Sequence, residues 1–240
     1  MHPALRPGAA AQNSSSRCRP EAGMKLRNLQ IFHDTEPRSA AENMALDEAL
    51  FLQTMLPVIR SYRWIRSALS FGYFTPWKSV AEYLRGRDPV RRWTGGGIVE
   101  HGDDFTYSIV LPGHNSFASV DLYHFVHGAL AELLRECGHS VEISQFPDVL
   151  QSNACFERAV EFDLKVCGAK IAGAAIRRSR RGVLLQGSIQ RLDLPEYFTS
   201  MFANALCEQP ERFVLSRPVM EITTRIAKDK YAAAEWTHRF

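Results

Sequence analysis

Three consecutive glycines at positions 95–97 form the part of this 240-residue chain that is best suited to hold a ligand. Backbone without Cβ atoms can adopt positive φ and lets another group approach the main chain closely. Arg91 and Arg92 precede the glycines, His101 follows them, and the apolar run 105–111 predicts a buried strand. Bare backbone, an apolar slot and cationic edges together suit a ligand with an aliphatic tail and a polar head.

A glycine triplet is also an ordinary hairpin loop, and the residues alone leave this alternative open. Two phosphate-binding motifs are excluded at these positions. No Gly-Lys-Ser/Thr follows the glycines, as a P-loop requires, and the Gly-x-Gly-x-x-Gly spacing of dinucleotide-binding turns is absent.

Lys170 is the second candidate for chemistry, because glycines surround it in the sequence. We expect Lys170, Gly168, Gly173 and Gly187 to lie on three successive strands. A lysine at the start of a strand can point its ammonium into a cavity where glycine backbone also lies close. Most lysines are solvated surface residues, which is the alternative interpretation.

The composition limits the possible functions only broadly. The chain is 45% hydrophobic and 23% charged, as in an ordinary globular protein. A net charge of +3 is too small to argue for nucleic-acid binding, and no run of about 18 apolar residues predicts a membrane span. The cysteines favour a reducing, cytoplasmic setting over disulfides or a metal site. They are Cys18, Cys137, Cys155, Cys167 and Cys207.

The ordered part of the chain is predicted to be one domain over residues 24–240. Residues 1–23 are rich in Ala, Ser, Pro and Arg and are predicted to be disordered, because they lack the apolar side chains that offset ordering entropy. Strands in meanders with helices against them predict an α+β (mixed α/β) architecture.

Local signals place the elements that must position the candidate residues. Ser39 and Glu42 form a capping-box pattern that predicts a helix over 40–55. Apolar spacing predicts a second helix over 121–137, ended by Gly138, with Cys137 in the core. Further predicted elements are strands at 58–64, 68–72, 141–143, 160–166, 170–178 and 183–190, and helices at 79–85 and 195–206. The strand at 160–166 is predicted to be half buried, because apolar residues alternate there with Glu161, Asp163 and Lys165.

Four motifs in this order resemble the lipoate-protein ligase and octanoyltransferase superfamily over about residues 26–210. The first two are Asn43-Met-Ala-Leu-Asp-Glu48 and Arg92-x-Thr-Gly-Gly-Gly-x-Val-x-His101, the latter followed by Phe-Thr-Tyr-Ser at 105–108. The other two are Gly168-x-Lys-Ile-Ala-Gly173 and Gly182-Val-Leu-Leu-Gln-Gly-Ser-Ile189.

The resemblance implies a central mixed β-sheet flanked by helices, like that of class II synthetases and biotin ligases. It implies an elongated slot for an octanoyl or lipoyl chain, closed by Lys170 as a catalytic residue. Biotin ligation itself is disfavoured, since the Gly-Arg-Gly-Arg stretch is absent. The substrate-binding residues that the resemblance suggests are Arg92, Thr94, Gly95, Gly96, Gly97, His101, Gly168, Gly173 and Gly187.

The resemblance leaves two mechanisms open. A ligase activates free lipoate with ATP and Mg²⁺ through an acyl-adenylate. A transferase takes octanoyl from acyl carrier protein through a cysteine thioester and passes it to a lysine of a lipoyl-domain protein. Many ligases carry a further C-terminal domain, and only about thirty residues follow the last recognisable element here, which favours the transferase without a cofactor. A non-catalytic relative that binds an acylated carrier is a third possibility.

Cys155 is the predicted nucleophile, because similar cysteine-dependent octanoyltransferases have a cysteine followed by Phe in a like place. A thiol with a free pKa of about 8.5 needs a neighbouring cation to ionise at neutral pH, and Lys170 is expected to supply it. Lys170 is also expected to stabilise the oxyanion. Cys167 is the competing nucleophile, and an unreactive thiol is the alternative for Cys155.

Three further features carry open alternatives. The family commonly has Asp after the histidine, whereas Gly102 stands here, before Asp103 and Asp104, and a family histidine near Gly187 is missing. His101 is either catalytic or a hydrogen-bonded structural residue. The basic turn at 177–182 either steers acidic carrier and lipoyl domains or is a solvated hairpin tip.

Overall fold

Residues 25–113, 118–145 and 160–240 are described by the structure, which is a computed structural model. In this part of the chain, eight strands form one mixed sheet in the order β11-β1-β2-β6-β10-β9-β8-β7. Strand β1 runs parallel to β2 and β11, and the remaining neighbours are antiparallel. The described strands are β1 Gln30–His33, β2 Val58–Tyr62, β3 Ala68–Phe71, β4 Asp88–Arg91, β5 Ile98–His101, β6 Phe105–Pro112, β7 Val141–Ile143, β8 Leu164–Val166, β9 Ala169–Ser179, β10 Gly182–Ile189 and β11 Glu211–Arg212.

A second, three-stranded sheet has β3 at its centre, parallel to β4 and antiparallel to β5. Residues 92–97 therefore connect its two outer strands, which are not paired with each other. This topology excludes the hairpin interpretation of the glycine triplet. The connection instead spans the end of the small sheet, where Tyr73 donates its N–H to Thr94 O and Gly72 donates to Gly97 O.

Helices cover both faces of the large sheet. The described helices are α1 Ala40–Gln53, α2 Ser119–Glu136, α3 Phe198–Leu206, α4 Arg217–Ile226 and α5 Ala234–Thr237, with a π-helical turn at Ala227–Tyr231. Alternate residues of the central strands divide between two cores. Val183 and Leu185 pack with α2 and α3, whereas Leu184 packs with α1 and α4. The predicted α+β class with a central mixed sheet is confirmed.

Local cap signals agree with the structure. Ser39 and Glu42 form a complete capping box at the start of α1, and Gly138 adopts φ +91° after α2. The predicted helix at 79–85 is instead two short 3₁₀ turns, Trp77–Ser79 and Ala81–Tyr83. No helix in the described ranges combines the length and apolar character that crossing a membrane requires.

The predicted strand at 160–166 is wrong in its first half. Only Leu164–Val166 is a strand, and residues 160–163 form a turn with Phe162 at φ +70°. Asp163 was expected on the polar face of that strand, yet it is fully buried. Gly168 lies in the turn between β8 and β9 rather than on a strand, with φ +77°.

Candidate active site

A pocket lies between the large and the small sheet, with about 410 Å³ of empty space including the open solvent at its mouth. Helix α1 contributes Met44, the small sheet contributes Ser70 and Val99, and strands β9 and β10 contribute small residues. Its lining consists of Met44, Tyr62, Trp64, Ser70, Arg92, Val99, His101, Thr106, Gly173, Ala174, Ala175, Gln186, Gly187 and Ser188. Aromatic, aliphatic and glycine surfaces with a few polar groups suit an acyl chain.

Arg92 holds the connection formed by residues 92–97, here called the glycine connection, through hydrogen bonds from its own guanidinium. Its Nη2 donates to the carbonyl oxygens of Gly95 and Gly97, at 3.0 and 2.8 Å, and its Nη1 donates to Ser70 Oγ at 2.6 Å. The charge of Arg92 is thus committed to shaping the wall. Gly72 supports the same wall, because a Cβ there would lie 1.9 Å from Gly96 O.

The small residues of β9 meet this wall. Gly96 adopts φ +86°, and a Cβ on it would lie 3.4 Å from Ala175 Cβ. Gly72 carries no signal in the sequence, because its need for glycine comes from a segment more than twenty residues away. Tight backbone contact of this kind leaves no local sequence signal beyond the glycine itself.

A buried polar chain connects the glycine connection to helix α1. Thr94 Oγ1 donates to Gln186 Oε1 at 2.7 Å, and Gln186 Nε2 donates to Asp47 Oδ2 at 2.7 Å. Asp47 Oδ1 in turn accepts from Arg60 Nη1 and from Ser108 Oγ, both at 2.7 Å. The Asn43–Glu48 motif therefore has a physical role, which is to hold the floor of the pocket through Asp47.

His101 lies in a second polar group at the pocket wall. Its Nδ1 lies 2.7 Å from Asp104 Oδ2, its Nε2 lies 2.6 Å from Ser70 Oγ, and its ring stacks on Trp64 with centroids 4.2 Å apart. Asp104 therefore takes the place expected for an acidic residue beside the histidine. Every polar atom of the imidazole is engaged, which fits the structural alternative for His101.

Asp104 is held as a carboxylate. Burial raises the pKa of this group, but the adjacent His101 and hydrogen bonds from Ser188 Oγ and Gly102 N–H outweigh burial and lower the pKa from 3.8 to about 2. The ionised group organises the wall by accepting from several donors at once.

Lys170 is buried and ion-paired. Its Nζ lies 2.7 Å from Asp163 Oδ2, and the side chains of both residues are at most 3% exposed. Lys170 does not itself line the described pocket; it lies behind Gly173, which does. A Cβ on Gly173 would lie 2.7 Å from Lys170 Nζ, so the absence of that atom keeps the ammonium against the pocket strand.

Helix α2 holds the turn that carries Asp163. Tyr123 Oη donates to Asp163 Oδ1 at 2.5 Å, and one helical turn later His127 Nδ1 donates to the Phe162 carbonyl at 2.7 Å. Burial lowers the pKa of His127, so the imidazole is neutral at pH 7. Its Nε2 can then accept from the Tyr107 hydroxyl, 3.4 Å away.

The predicted site residues fall into distinct places. Arg92, His101, Gly173 and Gly187 line the pocket. Thr94 and the three glycines form the braced connection beside it. Gly168 occupies the exposed turn and accounts for the left-handed backbone there rather than for the pocket wall. The Cys155 prediction lies outside the described residues.

The competing cysteine and the basic turn are both described. Cys167 is exposed in the β8–β9 turn at φ +49°. Arg177 belongs to strand β9 and packs its guanidinium 4.3 Å from the Trp93 ring centroid, so it is not part of a solvated tip. Arg180 and Arg181 are exposed.

Among the described residues, no group of three or more His, Cys, Asp or Glu side chains could hold a metal ion.

Comparison with protein families gives one match that covers most of the chain. Residues 39–228 match the model of the lipoyl protein ligase A/B catalytic domain. The octanoyltransferase LipM of Oceanobacillus iheyensis is 37% identical over 178 residues, which cover 68% of this chain and 64% of that protein. The Staphylococcus aureus octanoyltransferase LipM is 33% identical over 187 residues, covering 70% and 68%. The chain thus spans about two thirds of the length of these relatives.

Solved structures share the fold at lower identity. A putative lipoate protein ligase from T. acidophilum with bound lipoic acid superposes with a TM-score of 0.70 at 18% identity, covering 89% of this chain and all of that one. A lipoate-protein ligase A bound with ATP gives a TM-score of 0.69 at 19% identity, covering 90% and 99%. At these identities the likeness concerns the fold alone.

Proposed function

The chain belongs to the lipoyl protein ligase A/B catalytic-domain family, and on that premise we propose that it is an octanoyltransferase of protein lipoylation. The observation that carries the proposal is the apolar pocket with a buried lysine–carboxylate pair directly behind one of its strands. An aliphatic chain matches the pocket lining, and a buried ammonium suits the charge that develops on a reacting carbonyl.

The proposed first step forms a thioester on the protein. The Cys155 thiolate attacks the carbonyl carbon of the octanoyl thioester on acyl carrier protein, and a tetrahedral oxyanion forms. Collapse of the oxyanion breaks the bond to the carrier sulfur, which leaves as a thiolate and takes up a proton. We assign Lys170 to stabilise the oxyanion.

The proposed second step transfers the acyl group to the acceptor. The neutral amine of a lipoyl-domain lysine attacks the carbonyl carbon of the Cys155 thioester and forms a nitrogen–carbon bond. The carbon–sulfur bond then breaks, the Cys155 thiolate leaves, and the attacking nitrogen releases one proton to solvent to give the amide. Both steps exchange one acyl bond for another. The proposed route therefore needs neither ATP nor Mg²⁺.

The proposed partners are acyl carrier protein as donor and a lipoyl-domain protein as acceptor, in the cytoplasm. A solved relative of similar fold, a bi-partite lipoate protein ligase from Thermoplasma acidophilum, is described with its E2 lipoyl domain. Arg180 and Arg181 form an exposed basic tip that would attract acidic domains of this kind.

Intact-mass measurement tests the proposal. After incubation with octanoyl-acyl carrier protein, we expect an octanoyl adduct on the wild-type chain and none on Cys155→Ser. The matched control Cys167→Ser should keep the adduct, because Cys167 lies in the β8–β9 turn and does not line the pocket. No adduct on the wild type, or an undiminished one on Cys155→Ser, would contradict the mechanism.

Two alternatives give different results in the same preparation. An ATP-dependent ligase would catalyse lipoate-dependent exchange between ATP and pyrophosphate, and the exchange would survive Cys155→Ser. A non-catalytic relative would bind octanoyl-acyl carrier protein without either adduct or exchange.

A further inference from the structure

We infer that Asp163 is the positioning residue for Lys170, an assignment that rests on the proposed octanoyl transfer. Asp163 is fully buried and lies seven residues before Lys170, on the turn that precedes β8. A buried carboxylate is stabilised when its oxygens accept several hydrogen bonds and face a cation. Asp163 meets both conditions.

Three described groups converge on this carboxylate. Lys170 Nζ lies 2.7 Å from Oδ2, and the Val160 N–H donates to the same oxygen at 2.7 Å. The Tyr123 hydroxyl donates to Oδ1 at 2.5 Å. These contacts fix the orientation of the carboxylate, with Oδ2 facing the ammonium of Lys170.

Gly173 makes room for the pair. A Cβ at this position would lie 2.6 Å from Lys170 Cε and 3.1 Å from Asp163 Oδ1. Any larger residue would push the ammonium away from the strand that lines the pocket. The spacing of Lys170 and Gly173 in the motif therefore follows from the space that the ion pair occupies.

Tyr123 ties the pair to the pocket wall. Its hydroxyl accepts from the Ala174 N–H at 2.8 Å while it donates to Asp163. Ala174 lines the pocket, so its backbone, the tyrosine, the carboxylate and the ammonium form a continuous hydrogen-bonded chain. Burial, and next the Asp163 charge, raise the pKa of Tyr123, which keeps the hydroxyl protonated as the donor.

The first test compares transfer kinetics. Asp163→Asn keeps the shape but removes the charge, and we expect kcat to fall on the order of 10²-fold with little change in KM for octanoyl-acyl carrier protein. Tyr123→Phe keeps the ion pair and should lower kcat by about tenfold. Glu221→Gln is the matched control, because Glu221 pairs with Arg217 on the exposed face of α4 and its loss should leave kcat unchanged.

The second test measures how accessible the Lys170 amine is to a chemical reagent, and it does not depend on transfer activity. Amines labelled with acetic anhydride are quantified by mass spectrometry, and Lys170 should react at least several-fold faster in Asp163→Asn than in the wild type. Lys230, which pairs with Glu48 at 2.6 Å, is the internal reference for general unfolding and should not change. If Asp163→Asn does not fold, kcat and Lys170 labelling are measured on Tyr123→Phe instead, and the same results support or overturn the inference.

The outcomes separate the two proposals. An inactive wild type whose Lys170 becomes reactive in Asp163→Asn would refute octanoyl transfer and keep Asp163 as the residue that holds Lys170. An active wild type with unchanged kcat and unchanged Lys170 labelling in Asp163→Asn would overturn the inference. Equal increases at Lys170 and Lys230 would also overturn it, since the variant would then act through global stability.

Discussion

Two buried cations, Arg60 and Lys170, are both paired with carboxylates, but they are built differently. All five N–H groups of Arg60 have acceptors on Asp34, Asn43 and Asp47. Arginine is always charged and its planar fork is fixed in direction by such contacts. Arg60 is therefore an architectural cation, which fastens α1 to the large sheet.

Lys170 presents a compact ammonium on a flexible stem beside a strand that lines the pocket. Its carboxylate partner comes from a turn held by α2 rather than from the sheet. Two kinds of buried cation are therefore present. Arg60 is enclosed by acceptors that fasten α1 to the sheet, whereas Lys170 lies behind a glycine of a pocket strand, where the proposed mechanism assigns it to the reaction.

Replacing each buried cation by methionine is expected to give the largest changes in stability and in transfer activity, and it tests whether the two cations have different roles. Arg60→Met should lower the free energy of unfolding by about 3–5 kcal/mol, because it leaves Asp47 buried without its cation and leaves Asp34 with Arg38 alone. Lys170→Met should lower kcat/KM for octanoyl transfer by about 10²–10³-fold through lost oxyanion stabilisation. Urea unfolding and transfer kinetics on both variants measure the two effects.

The comparison fails if the two variants exchange roles. Per folded molecule, Arg60→Met is expected to lose less transfer activity than Lys170→Met, because Asp47 keeps its hydrogen bonds to Gln186 and Ser108 beside the pocket. A Lys170→Met variant that transfers octanoyl at the wild-type rate would make Lys170 a second structural cation.

Asp104 is a buried carboxylate that supports the fold, as Arg60 does, and its removal is expected to change the free energy of unfolding by a smaller amount. Its folded pKa of about 2 lies below the ordinary 3.8, so its contribution is present above pH 4 and is lost as pH falls towards 2. The difference corresponds to about 2 kcal/mol. Urea unfolding of the wild type and Asp104→Asn should differ by roughly this amount at pH 7 and converge near pH 2.

A constant difference across that range would show that Asp104 acts by packing rather than by charge. Asp103→Asn is the matched control, because the neighbouring Asp103 is exposed. That control should leave the unfolding curves unchanged at every pH.

Features set by a few neighbouring residues were predictable from the sequence. The capping box at Ser39, the end of α2 at Gly138 and the long strand β10 each follow from a local pattern. The turn at 160–163 was not predictable, because its apolar alternation indicates a strand while Tyr123 and His127, some 35–40 residues away in sequence, hold it in place.

The candidate site shows the same limit. Arg92, His101 and Gly173 lie in conspicuous glycine-rich segments, and all three line the pocket. Ser70 and Gln186 line it as well. Ser70 carries no local signal, and Gln186 belongs to the fourth motif but was not predicted to bind substrate, since both roles arise from contacts with Arg92 and Thr94 across the fold. Glycine patterns thus located the walls, and only the three-dimensional contacts identified what supports them.

The smallest expected change is in the pH dependence of Tm and concerns His127, which supports the turn that carries Asp163, the partner of Lys170. Burial lowers its pKa below 6.5, against the opposing influence of Asp163 and the Phe162 carbonyl. A group whose folded pKa is depressed contributes stability above its unfolded pKa, and that stability is lost as pH falls below about 6.5. The wild-type Tm should therefore fall more between pH 7 and pH 5 than the Tm of His127→Asn, which cannot titrate.

The control His124→Asn removes the other imidazole that contacts this turn, whose ring centroid lies 4.8 Å from that of Phe162, and leaves His127 in place, so its Tm should fall with pH as the wild-type Tm does. Protonation of His127 removes the acceptor for Tyr107 and places a second cation near Asp163, where it repels Lys170 and competes with it for that carboxylate. Amine labelling of the wild type at the two pH values, corrected for amine protonation with Lys230 as reference, should thus show Lys170 loosening on acidification. If Tm changes equally with pH in all three proteins, the contact of His127 with the turn at 160–163 does not control the position of Lys170.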